Sequence, residues 1–231
     1  MNPASGTGAP SPSAERMTPG YFLACCWFRI FFATYQPRTI YHVERVPKSG
    51  PAILAANHVS LIDPPLVGTA TRRVLHYLAR ESAFTNPIAG AILRSWNCVP
   101  LDRDGGSARG LKTILEHLRN GQAIMMFPEG TRSPDGKIQS ARPGIGLAIV
   151  KSGAPVIPIR VFGTFELFGR KHLLPRPGCV AVKFGKALDF ADARAQAADC
   201  TPARRKEIYQ EVSDALMAAI GALQPTSDDA G

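Results

Sequence analysis

With 231 residues, 45% apolar and 19% charged side chains, the chain carries enough apolar material for one sizeable core, which excludes a mostly disordered protein. A formal net charge of +9 calls for an anionic partner, either a membrane surface, a phosphorylated substrate or nucleic acid. No recognition-helix, zinc-finger or RNA-binding signature is present, so nucleic acid is not expected.

Residues 1–20 are rich in Ser, Pro, Gly and Ala and read as a disordered tail without the basic start of a signal peptide. The segment 21–37 holds the most apolar run, Tyr21 to Tyr35. As a helix, its fifteen residues would reach ~22 Å against a ~30 Å hydrocarbon core, with Arg29 in the middle. A helix lying in the membrane interface, with Arg29 reaching the headgroups, fits this pattern. A buried core helix is the other reading.

Residues 38–223 then alternate between two periodicities. Arg38 to Pro47 reads as a lead-in strand, and Pro51 to Ala56 as a strand buried on both faces. Arg73 to Arg80 is a further strand, Asn86-Pro87 opens a short helix towards Trp96, and Asn97 to Leu101 returns as strand. Ser107 caps a helix with Leu111, Ile114, Leu115 and Leu118 on one face, ended by Gly121. Ala123 to Phe127 is another buried strand and Gly144 to Lys151 a helix. Strands at Val156 to Phe162 and Cys179 to Phe184 follow. Thr201 caps a last helix to about Leu223, before a polar tail at 224–231. This alternation predicts a single α/β domain with a largely parallel central sheet flanked by helices. The five cysteines are odd in number and lack CxxC spacing, so they read as small buried hydrophobes in a reducing compartment; no metal site is expected.

Two motifs carry chemistry. His58 and Asp63 stand five positions apart in Asn57-His-Val-Ser-Leu-Ile-Asp-Pro64, directly after a buried strand. About 70 residues later, Phe127-Pro-Glu-Gly-Thr-Arg-Ser133 packs a carboxylate, a flexible glycine, a hydroxyl and a guanidinium into a turn after another. Strand ends of an open α/β sheet converge on one edge, so His58, Arg103 (after the strand through Leu101) and Glu129 to Arg132 can share a site. Histidine suits a general base at neutral pH, and Asp63 can orient it. Arg103 and Arg132 suit bidentate phosphate binding. Gly130 permits close backbone approach, and Glu129 could contact an acceptor hydroxyl or hold Arg132. Thr131 reads as a turn-forming hydroxyl. Ser60 and Ser133 lie outside any G-x-S-x-G elbow and read as turn residues. His76, His117 and His172 read as structural or surface residues. Arg170, Lys171, His172 and Arg176, interleaved with Leu173 and Leu174, form a basic loop that suits a membrane surface or plain solvent.

In this order and spacing, the two motifs resemble the glycerophospholipid acyltransferase family, which includes the lysophosphatidate acyltransferases. Two lesser blocks, Val99-Pro-Leu-Asp-Arg103 and Val156-Ile-Pro-Ile159, extend the resemblance over roughly half the chain, from about Pro51 to Gly163. The resemblance implies His58 and Asp63 as the catalytic pair. It places Glu129, Gly130 and Arg132 at the acyl acceptor, where Arg103 and Thr131 are further candidates, and Val156, Ile157 and Pro158 near the acyl chain. Where many relatives have Phe-Lys-x-Gly, this chain has Ala141-Arg-Pro-Gly144, which keeps the charge but loses the aromatic ring.

The implied reaction moves a fatty acyl group from a thioester of coenzyme A or acyl carrier protein to a lysophospholipid hydroxyl, lysophosphatidate first, with no further cofactor. Glycerol 3-phosphate, another lysophospholipid or a lyso-aminolipid are alternative acceptors, and hydrolysis is the alternative reaction. Expected partners are membrane lipids, with the protein peripheral or monotopic on the cytoplasmic face. Nothing in the pattern sets an oligomeric state.

Overall fold

A computed structural model describes residues 17–101 and 108–226. Arg103 and the capping Ser107 lie outside the described residues, as do 1–16 of the N-terminal tail and 227–231 of the C-terminal one.

Seven strands form one sheet: β1 (Arg38–Tyr41), β2 (Ala52–Ala56), β3 (Leu75–Arg80), β4 (Cys98–Leu101), β5 (Ala123–Met126), β6 (Val156–Phe162) and β7 (Val180–Phe184). Their spatial order is β1-β7-β6-β2-β5-β3-β4. The five strands from β6 to β4 run parallel; β7 lies antiparallel to β6, and β1 pairs parallel with β7. The largely parallel sheet expected from the strand-helix alternation is therefore present, with two reversed strands at one side.

The central strand β2 explains why the alternation was legible. All five of its residues are buried, because helices cover both faces of the sheet. Ala52, Leu54 and Ala56 point into a core shared with α1 (Pro19–Thr34) and α2 (Asp63–Ala70). Ile53 and Ala55 point into a second core under α4 (Ala108–Arg119), α5 (Pro143–Ser152), α7 (Ala191–Ala198) and α8 (Pro202–Ala222). The remaining helices, α3 (Pro87–Ser95) and α6 (Thr164–Phe168), sit at strand ends. Thr201 caps α8 as expected, its hydroxyl accepting from the Arg204 amide at 3.2 Å.

Three differences from the sequence reading have clear causes. The lead-in strand stops at Tyr41, because His42 takes a left-handed conformation (φ 59°) and a short 3-10 turn follows. Residues 63–70 form a helix that the sequence reading did not assign, with Pro64 and Pro65 in its first turn; proline lacks an N–H, and the first helical turn has no use for one. The short helices α6 and α7 are too brief to show a helical period in sequence.

The N-terminal apolar run is a helix, α1, and packs on the core along one face. Tyr21 and Phe32 are buried, and Phe28 and Phe31 pack on the core, while Phe22, Leu23, Trp27 and Ile30 remain exposed. One face of α1 is core; the other exposes these apolar side chains together with Arg29. Its neighbour α3 also exposes Ile88 and Ile92. Among the described residues, no helix is long and apolar enough to cross a membrane.

Candidate active site

Three adjacent parallel strands deliver the site. β6, β2 and β5 end side by side, and their carboxyl ends lead into Thr164, His58 and the 127–133 turn respectively.

His58 and Asp63 meet. Asp63 is fully buried (0% exposed) at the first turn of α2, and its Oδ2 lies 2.9 Å from His58 Nδ1. The same oxygen accepts the Val59 and Ser60 amides, each at 2.7 Å, so the chain between His58 and Asp63 wraps around the carboxylate. Its other oxygen accepts from the Thr164 hydroxyl at 2.7 Å. Four donors thus hold one carboxyl group, an acceptor-rich role that matches a carboxylate. The His58 side chain is 14% exposed, and its ring stacks on Phe127 with centroids 4.0 Å apart. With Nδ1 committed to Asp63, Nε2 is the ring atom left for chemistry. Ser60 donates to the Phe168 carbonyl at 2.7 Å and accepts from the Ile62 amide, so it is a turn residue here, not a nucleophile.

Glu129 occupies a different place from the one its type suggested. It is 3% exposed and makes no ion pair with Arg132. Its Oε1 accepts the His58 amide at 2.9 Å, while the buried Oε2 has no partner. Burial pushes its carboxyl from 4.5 up to about 7, opposed by hydrogen bonds from the His58 and Gln139 amides. The Ser133 amide donates to the His58 carbonyl at 2.7 Å, so both peptide groups of His58 are anchored to the second motif. This is how segments about 70 residues apart become one site.

Gly130 has φ +69°, and a Cβ there would stand 2.6 Å from Arg142 Cδ and Nε. The departure from the Phe-Lys-x-Gly pattern therefore lays the Arg142 stem across the glycine. Arg132 is half-buried and has no partner among the described residues. Thr131 accepts from Arg170 Nη2 at 2.6 Å.

β4 lies three strand positions from β2, roughly 14 Å at ordinary interstrand spacing; Arg103, two residues past its end in sequence, lies outside the described residues. Val156, Ile157 and Pro158 are buried in β6, and none of them lines the cavity that opens at His58. As central-strand residues they face the two cores instead. That cavity, about 370 Å³, runs from His58 and Phe127 between α1, α2, α3, β3 and β4, lined by residues such as Phe28, Pro65, Gly68, Tyr77 and Trp96. Gly68 makes room in it: a Cβ would stand 1.9 Å from the Tyr77 hydroxyl. Sequence reasoning missed Thr164, Phe127 as a ring platform, and this cavity. The strand-end rule that located His58 could have flagged Thr164, which follows β6. Among the described residues, no cluster of three or more His, Cys, Asp or Glu side chains could hold a metal ion.

The fold and the paired motifs define a class, and the comparisons agree. The acyltransferase family model matches residues 38–162, more than half of the chain, and the chain belongs to that family. In structure it is similar to the crystal structure of the 1-acyl-sn-glycerophosphate (LPA) acyltransferase PlsC from Thermotoga maritima. The TM-score is 0.67 and the identity 27%, over 89% of this chain and 81% of that one. In sequence it is 31% identical over 150 residues to the chloroplastic 1-acyl-sn-glycerol-3-phosphate acyltransferase LPAT1 of Arabidopsis thaliana, covering 64% of this chain and 42% of that protein. It is also 29% identical over 168 residues to the N-acylphosphatidylethanolamine synthase of the same plant, covering 64% and 59%. The chain spans about half the length of the curated relatives it matches.

Proposed function

We propose that this protein transfers a fatty acyl group from a thioester of coenzyme A or acyl carrier protein to the free hydroxyl of lysophosphatidate, forming phosphatidate. The observation that carries the reading is the His58–Asp63 pair at the mouth of an apolar cavity, with the Arg132 turn bonded to the same histidine's backbone. His58 Nε2 takes the hydroxyl proton as the oxygen attacks the thioester carbonyl. Asp63 holds the ring through Nδ1 and stabilises the imidazolium that forms. When the tetrahedral intermediate collapses, the C–S bond breaks and the proton on Nε2 passes to the departing sulfur. The thioester is already activated, so the reaction needs no enzyme nucleophile and no further cofactor. Arg132, with Arg103 two residues past β4 in sequence, binds the acceptor phosphate. The cavity, rather than β6, takes the acyl chain, since its apolar walls begin where the carbonyl must sit.

The bare face of α1 and the net charge of +9 support peripheral or monotopic attachment to an anionic membrane, on the cytoplasmic side, where five unpaired cysteines would stay reduced. The relatives' names support lysophosphatidate as acceptor. The test is turnover by the purified protein of labelled acyl-CoA and acyl carrier protein donors against lysophosphatidate, other lysophospholipids, lyso-aminolipids and glycerol 3-phosphate. Phosphatidate is the expected product, and His58→Ala should lose roughly 10²–10⁴-fold in rate. Free fatty acid released without acceptor dependence would mean a hydrolase, and retained turnover in His58→Ala would overturn the base.

A further inference from the structure

The segment after β6 reaches over the site and grips it three times within seven residues. Thr164 donates to Asp63, the Phe168 carbonyl accepts from Ser60, and Arg170 donates to Thr131. The loop beyond is tied to the end of α1 through Tyr35 to the Pro175 carbonyl (3.0 Å) and Gln36 to the Arg176 carbonyl (2.7 Å). Arg170 is therefore exposed but not adrift: both ends of its loop are anchored.

Three guanidinium-bearing side chains consequently meet the same short turn. Arg132 belongs to it, the Arg142 stem lies on Gly130, and Arg170 bonds Thr131 between them. No carboxylate among the described residues pairs with any of the three, and the turn's own acid, Glu129, faces inward to the His58 amide. Like charges gathered without a counter-charge repel, and a dianion set among them removes that repulsion. A phosphate monoester supplies that charge and enough acceptor oxygens for several guanidinium donors.

We propose that Arg170 is a ligand of the acceptor's phosphate, held towards it by the Thr131 hydroxyl; this rests on the acyl-acceptor reading above. The same chemistry is available from bilayer headgroups, because Leu173 and Leu174, three and four residues on, are 96% and 76% exposed. The two sources are separable.

The test uses the full chain carrying Arg170→Ala or Arg170→Lys. The KM for lysophosphatidate is measured in neutral detergent micelles, and binding is measured by flotation on anionic vesicles. A lost charge-assisted hydrogen bond should raise the acceptor KM of Arg170→Ala about tenfold or more, leaving donor KM and flotation unchanged. Arg170→Lys should recover part of the loss, as a point charge without the fork. An acceptor KM that stays at the wild-type value overturns the proposal, whether or not flotation falls. Loss of flotation with that result assigns Arg170 to bilayer headgroups. A fall in kcat with no change in acceptor KM likewise overturns the proposal and marks a merely structural loop. Wild type that fails to acylate lysophosphatidate brings down the underlying reading and this ligand with it. Active wild type with an unaltered Arg170→Ala removes only the ligand.

Discussion

Replacing Glu129 with Gln should remove a loss of stability that sets in as pH rises towards 7. The side chain is 3% exposed, one oxygen lacks any partner, and burial raises its carboxyl from 4.5 to about 7. In the unfolded chain the group ionises near its ordinary value, whereas the folded protein holds the proton until about pH 7. Between those values the folded state binds more protons, so stability falls as pH rises and levels off above about 7. At about 1.4 kcal/mol per pH unit, the interval amounts to on the order of 3 kcal/mol of stability lost between pH 4.5 and pH 8. Glutamine keeps a carbonyl oxygen for the His58 amide and never ionises. Urea unfolding of wild type and Glu129→Gln at pH 5 and pH 8 measures the contrast through the midpoints at constant m. The variant should gain on wild type by up to about 3 kcal/mol at pH 8 relative to pH 5. A difference between the two proteins that does not change with pH would refute the argument, because it would mean that Glu129 ionises alike folded and unfolded.

Asp63→Asn should leave the turn largely in place but lower kcat by roughly 10³–10⁴-fold, because an amide cannot stabilise the imidazolium and its NH₂ faces donors already present; steady-state kinetics with saturating donor checks this. A loss below tenfold would remove Asp63 from catalysis. Converting Leu23, Trp27 and Ile30 together to Ser should weaken flotation on anionic vesicles while leaving the urea midpoint near wild type, since all three side chains are already exposed. Equal flotation by the triple variant would sink the role given to α1.

The chain itself determined its class of fold and the pairing of His58 with Asp63. Runs such as Ala52 to Ala56 and Ala123 to Met126 are short and apolar without alternation, as strands covered by helices on both faces are, so the strands were legible. The histidine, its aspartate and the Glu129 to Ser133 turn were legible because they are local patterns tied to strand ends. What the local pattern could not contain was direction. Glu129 sits beside Arg132 in sequence, yet burial turns it towards the His58 backbone, and Thr164, about 100 residues away, completes the Asp63 shell. Arg170 entered the sequence as part of a basic surface loop, but three anchors carry it to Thr131. The apolar cavity at His58 likewise draws on α1, α2, α3, β3 and β4, whose closeness depends on strand order, not on any one segment. Periodicity records whether a residue is buried; only the packing of distant segments decides what it is buried against.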